Sequence, residues 1–194
     1  MRLATPLLLV LFFTSCRPES YIPRPRGYAR IDTPRHAYQR FERPGFPYAF
    51  EYPVYASISK DSVMSGVTPD NPYWINIDFP TFGGSLYISY KTIDAAQPLD
   101  TLLGNVHYMS YFHAKRADFI NAPSFHTANG VHGILYNVGG NAASSYQFFA
   151  TDSTRHFLRG SLYFNTTPNA DSLKPVTDFL HTDIQHLLGT LEWK

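Results

Sequence analysis

One cysteine in 194 residues, standing at position 16 directly behind an apolar run, limits how this chain can be held together. With Cys16 alone no intramolecular disulfide can form, so everything downstream must be stabilised by apolar burial and hydrogen bonding. Such a core is affordable here. The chain is 44% hydrophobic and only 16% charged, with 15 Phe, 14 Tyr and 2 Trp, which is too aromatic for a disordered polymer and of a length that suits one domain. The formal net charge of +1 lacks the basic excess of a nucleic-acid binder, so no nucleic-acid partner is expected. No apolar run reaches the roughly 18 residues of a spanning helix.

The same cysteine speaks to processing. Arg2 is a short basic region, Leu3 to Phe13 is an apolar run of export length, and Phe13-Thr14-Ser15-Cys16 closes it with small residues. This is similar to a bacterial lipobox, although Phe13 stands where Leu is usual. The expectation is a signal peptide over 1–15 and lipid attachment at Cys16, where roughly three acyl chains would exceed the two that already anchor stably. A plain signal peptide with an incidental cysteine is the alternative. Arg17-Pro18-Glu19 follows, without the acidic run that would suggest surface export, so the expected location is the periplasmic face of the outer membrane.

Residues 17–45 hold seven arginines against Glu19, Asp32 and Glu42, a net of +4, together with five prolines. Such composition predicts a tether over 16–45 ahead of a globular domain over 46–194. Tyr21, Tyr28, Ile31, Tyr38 and Phe41 recur through it at a regularity unusual for a spacer, which points to docking of part of 27–46 on the body or on a partner. Arg24, Arg26, Arg30 and Arg35 precede an acidic body and are candidate partner-binding residues.

From Pro47 onward the pattern predicts an α+β domain. Tyr48–Ile58 reads as extended and bent at Pro53. Trp74–Phe79 and Ser85–Tyr90 alternate as a hairpin. Leu99, Leu102, Leu103, Val106, Met109, His113, Ala117 and Ile120 step by three and four as one long central helix, which Pro123 stops. Strands over Val131–Val138, Tyr146–Thr151 and His156–Phe164 follow, and a last helix capped at Asp171 or Ser172 buries Val176, Leu180, Ile184, Leu187 and Leu191. The result is a mainly antiparallel sheet of about six strands with a long central and a C-terminal helix, an order that resembles the Mog1/PsbP-like arrangement. Fold alone implies no function.

Chemistry is sparse along the chain. Asp152, Ser153 and His156 are the residue types of a nucleophilic triad, but three side chains in one tight turn cannot easily place the imidazole between the other two, and no Gly-x-Ser-x-Gly elbow is present. Asp152 and His156 are instead candidate partner-binding residues, with turn geometry alone as the alternative. His107 and His113 are six apart and His181 and His186 five, which gives no metal spacing, so no metal and no cofactor are expected. Gly83-Gly84 and Gly139-Gly140 follow strands without opening a helix, as hairpin turns do.

Several blocks carry a family resemblance: Arg24 to Asp32, Pro47-Tyr-Ala-Phe-Glu-Tyr-Pro53, Gly139-Gly-Asn-Ala-Ala-Ser144, Thr151 to Phe164, Pro168-Asn-Ala-Asp-Ser172 and the closing Glu192-Trp193. Together they resemble the gliding-motility lipoprotein family GldD. The resemblance implies a non-enzymatic envelope lipoprotein needed for gliding and associated type IX protein secretion, working with other proteins of that machinery and with no catalytic residues to carry over. A periplasmic small-ligand carrier or sensor is the second reading, and a cryptic hydrolase the third.

Overall fold

In a computed structural model of the protein, the residues described are 27, 30–60, 69–112 and 116–194. Their strands are β1 (Tyr38–Phe41), β2 (Tyr48–Pro53), β3 (Ser57–Lys60), β4 (Ile75–Phe79), β5 (Gly84–Thr92), β6 (Ala117–Asn121), β7 (Ser124–His126), β8 (His132–Gly140), β9 (Tyr146–Thr151), β10 (His156–Phe164) and β11 (Glu192–Trp193). The helices are α1 (Leu99–Phe112) and α2 (Ala170–Thr190). An eight-stranded antiparallel sheet runs β3-β4-β5-β10-β9-β8-β6 with β7 also paired to β8, and a small sheet runs β1-β2-β11. The fold class is therefore α+β as expected. The expected six strands become these two sheets.

Alternation builds the main sheet. Ile75, Ile77 and Phe79 of β4 and Leu86, Ile88 and Tyr90 of β5 are all buried on one face, in register through Ile75↔Ile88 and Phe79↔Gly84. The same face receives Phe148, Leu158 and Leu162, and α2 closes it with Val176, Leu180, Ile184 and Leu187. That helix follows its predicted stripe, capped by Asn169, whose side chain accepts from the Ser172 amide, two or three residues before the Asp171 or Ser172 expected in that role. On the opposite face α1 lays Leu102 and Val106 over Tyr136, Phe149 and Phe157. All six residues of β9 are buried, because this strand is covered from both sides.

Two expectations need correction. The central helix is described from Leu99 to Phe112; the residues Ala117 and Ile120, read as its last turns, belong to β6 and pair with Gly140 and Val138. Their spacing of three suited a helix, but an open edge of β8 offered backbone partners as well as apolar contact, and tertiary pairing overrode the local pattern. The predicted continuation over 113–115 lies outside the described residues. The extended run Tyr48–Ile58 is likewise two strands in two sheets, broken where the Ala56 amide donates to the Pro53 carbonyl at 3.1 Å.

The expected tether does not extend to residue 45. Residues 31–194 form one compact unit, and β1 lies within the supposed spacer, paired with β2 from Tyr38↔Pro53 to Phe41↔Phe50. Its aromatic anchors explain why. Phe41 is 4% exposed and packs on Phe50 and Phe46, with ring centroids 5.0 and 5.3 Å away, while Tyr38 stacks on His186 at 3.5 Å. Arginine and proline set the composition of this segment, but the apolar side chains set its place.

Candidate functional site

A cleft opens where β8 turns into β9, beside the first turns of α2. Gly139 and Gly140 make it possible. A Cβ on Gly139 would stand 2.2 Å from the Phe119 ring, so only glycine lets that ring lie across the edge of β8, and Gly140 adopts φ +85°. The turn is tied to the helix, since the Asn141 Oδ1 accepts from the Ala170 amide at 2.9 Å. The cavity, about 220 Å³, is walled by the Phe119 and Tyr146 rings and rimmed by Asn137, Asn169, Asp171 and Lys174. Burial first, and Asp178 second, push the Tyr146 phenol up; burial pushes the stacked His181 down against the pull of Asp178. Both rings are therefore mainly neutral at pH 7. Lys174 is held by Asp178 at 2.7 Å. Such a cleft offers aromatic faces and side-chain amide groups.

The Thr151–His156 turn is occupied by its own structure. Asp152 Oδ1 accepts the amides of Thr154, Arg155 and His156, each at 2.9 Å. Burial alone would raise this carboxyl, but the three amides outweigh it and hold it at about 2. His156 is 6% exposed, shares a 2.8 Å hydrogen bond between its Nδ1 and the Tyr90 hydroxyl, and stacks on Trp193 at 5.1 Å. The expectation that His156 meets a partner is thus corrected: its ring joins β10 to β5 and β11 in the interior. Asp152 likewise acts as a turn cap. Asp152, Ser153 and His156 do not form a relay, because Ser153 Oγ pairs at 2.8 Å with His132 Nε2 and not with His156.

Among the proposed arginines, Arg24 and Arg26 lie outside the described residues, as does Cys16. Arg30 and Arg35 are exposed. Arg40, in the same segment, turns inward to its own chain, with Nε on Glu42 at 2.8 Å and Nη2 on Glu192 at 2.7 Å. Together with Lys194 it holds the Glu42 carboxyl at about 2.

The polar centre that sequence reasoning missed is Asp183. It is 2% exposed on the buried face of α2, where its Oδ1 accepts from the Tyr38 hydroxyl at 3.0 Å and meets His36 Nδ1 at 2.7 Å, and its Oδ2 accepts from the Tyr55 hydroxyl. One turn further along, His186 Nε2 reaches Glu51 at 2.7 Å. Residues 36–55 are thus latched to α2 through one carboxylate and one imidazole. The signal was present: Asp183 stands three after Leu180 and four before Leu187, inside the apolar stripe. Among the described residues no group of three or more His, Cys, Asp or Glu could hold a metal ion. No helix among them is long and apolar enough to cross a membrane.

Comparison with known proteins gives a family match and a structural likeness. The family model described as gliding motility lipoprotein GldD matches residues 18–193. Among solved structures, the solution structure of cyanobacterial PsbP (CyanoP) from Synechocystis sp. PCC 6803 matches at 15% identity and a TM-score of 0.49, covering 86% of this chain and 98% of that one. A likeness at that level carries nothing further for this chain. No curated protein matches the sequence.

Proposed function

The chain belongs to the gliding motility lipoprotein family GldD, and from that premise we propose that it is a non-catalytic assembly or stabilising component of the gliding machinery and of its associated type IX secretion, anchored by acylated Cys16 on the periplasmic face of the outer membrane. The observation that carries this reading is the family match across nearly all of the mature chain. The Asp152 carboxylate, occupied by three backbone amides of its own turn, supports a structural use of that turn.

Cys16→Ser is expected to move the protein into the soluble fraction; retention in membranes would sink the anchor. Recognition is assigned to Arg24, Arg26, Arg30 and Arg35, which precede the His36 latch. In crosslinked cells, pull-down of the native chain is expected to recover other envelope proteins of the machinery. Replacing these four arginines by Gln should abolish that recovery and gliding while the melting temperature stays within about 2 °C of the parent, as residues that act in recognition and not in folding would leave it. Normal gliding would reduce the segment to a spacer, and a clear drop in melting temperature would make it part of the fold. A second reading, small-ligand carriage, is favoured by the cleft between Phe119 and Tyr146; native mass spectrometry of protein taken from the envelope would show a bound adduct if it holds.

A further inference from the structure

The face of the main sheet that α1 partly covers carries polar side chains left without partners. Seven buried side-chain nitrogen or oxygen atoms lack a hydrogen-bond partner among the described residues, and four of them lie on this face: Asn76 Oδ1, Gln147 Nε2, Arg159 Nε and Ser161 Oγ. Register explains the concentration. Asn76↔Tyr87↔Ser161↔Gln147 is one row across β4, β5, β10 and β9, and Ser89↔Arg159↔Phe149 is the next. Both rows turn away from α2, because Ile77, Ile88, Leu162 and Phe148 beside them face it. A buried polar atom without a partner costs free energy, so four together require a reason.

Arg159 supplies that reason. Its Nη2 donates to Gln147 Oε1 at 3.2 Å, and the buried Ser110 hydroxyl of α1 donates to the same oxygen at 3.5 Å, which fixes the amide and leaves its Nε2 free. No carboxylate balances the guanidinium. The one acid in β4, β5, β9 and β10 is Asp78, which accepts from Ser59 and Ser85 and lies two strands and two rows away, about 16 Å by strand geometry. Asp100, the one acid of α1, stands ten residues before Ser110, about 15 Å along the helix. Burial pushes the Arg159 guanidinium down, against the pull of Tyr163. An enclosed cation without a counter-charge is costly to keep, which marks it as a receptor for one. Arg159 remains partly exposed, so an anion arriving from solvent meets the guanidinium before the donors that solvent does not reach.

Donor chemistry selects the ligand. One cation with two neutral donors, Gln147 Nε2 and Ser161 Oγ, balances a single negative charge, and the planar arginine fork matches a planar carboxylate. A phosphate monoester carries nearer two charges.

We propose that Arg159, oriented by Gln147, is a binding site for one carboxylate, with Gln147 and Ser161 as its further donors. The carboxylate belongs to a small free acid or to an acidic side chain of a peptide, and the test separates the two. The melting temperature of the full chain is followed in acetate, in N-acetylglutamic acid α-methylamide and in chloride, at one pH and ionic strength. Either carboxylate is expected to raise it over chloride, by about 4 °C at ten times its Kd. If the capped glutamate acts at about a tenth of the acetate concentration or less, the natural ligand is a side chain; otherwise it is a free acid. Arg159→Gln should abolish the rise, and Ser161→Ala should require about tenfold more acetate for it. No carboxylate response in the parent, or one that persists unchanged in Arg159→Gln, overturns the proposal and leaves the four atoms to bound water. If Arg159→Gln does not fold, Ser161→Ala decides alone: a weakened response supports the site and an unchanged one overturns it.

Discussion

Replacing Asp183 by alanine is expected to lower the stability of the protein by about 3 to 5 kcal/mol, because removing one member of a buried charge network strands the others. His36, Tyr38 and Tyr55 all turn toward this one carboxylate, which is 2% exposed. Burial, followed by the hydrogen bond and charge of Asp183, already raises the Tyr38 phenol to about 12, and the same order of causes raises Tyr55. Once the carboxylate is gone, the three donors must find water or hold residues 36–38 away from α2. Urea titration at pH 7 gives the size of the loss, and limited proteolysis gives its place: cleavage should appear first before β2. Asp183→Asn, which keeps an acceptor, should lose less. Equal stability of Asp183→Ala and the parent would show that the network is only a surface tie.

Phe149→Ala is expected to cost about 3 to 5 kcal/mol, the range for emptying a buried aromatic site. Its ring stacks on Phe157 at 5.5 Å and 5°, beneath Leu102 and Val106 of α1, and is 7% exposed. The core on this side is small, so α1 has few other contacts to keep it in place. The loss is expected to appear both in a denaturant titration and as faster hydrogen exchange along α1 relative to α2. A cost under about 1 kcal/mol would mean that the site collapses onto the void, since the penalty scales with the cavity left behind.

What the sequence made legible was whatever repeats. The β4–β5 hairpin alternates for a full five residues on each side, and α2 keeps its stripe through Val176, Leu180, Ile184 and Leu187, so both could be read without a structure. Strands of two to four residues, such as β1, β3, β7 and β11, are too short for a period to appear, which is why six expected strands became two sheets. Ala117 and Ile120 fitted a helix and a strand equally until β8 supplied a partner. Composition misled at the supposed tether, where proline and arginine outnumbered the few aromatic residues that decide its position. The cleft was half visible: Gly139-Gly140 marked a turn, but the ring that needs Gly139 lies twenty residues away, and no local pattern connects them. Asp183 was hidden because a carboxylate within an apolar stripe reads as an interruption until its three donors, all more than a hundred residues distant in sequence, are found.

The small sheet joins segments more than 150 residues apart: β1 and β11 flank β2, and Lys194 Nζ reaches Glu42 at 2.9 Å. Under the proposed anchor at Cys16, pull on the chain arrives from its N-terminal side. Tension arriving along that route meets the His36–Asp183 clamp before it reaches the first hydrogen bond of β1, so the load passes into the 21-residue shaft of α2, whose far end leads directly into β11. The strand pair is thereby spared from being unzipped one rung at a time. A pull arriving ahead of residue 36 is therefore borne by a helix and not by the rungs of β1.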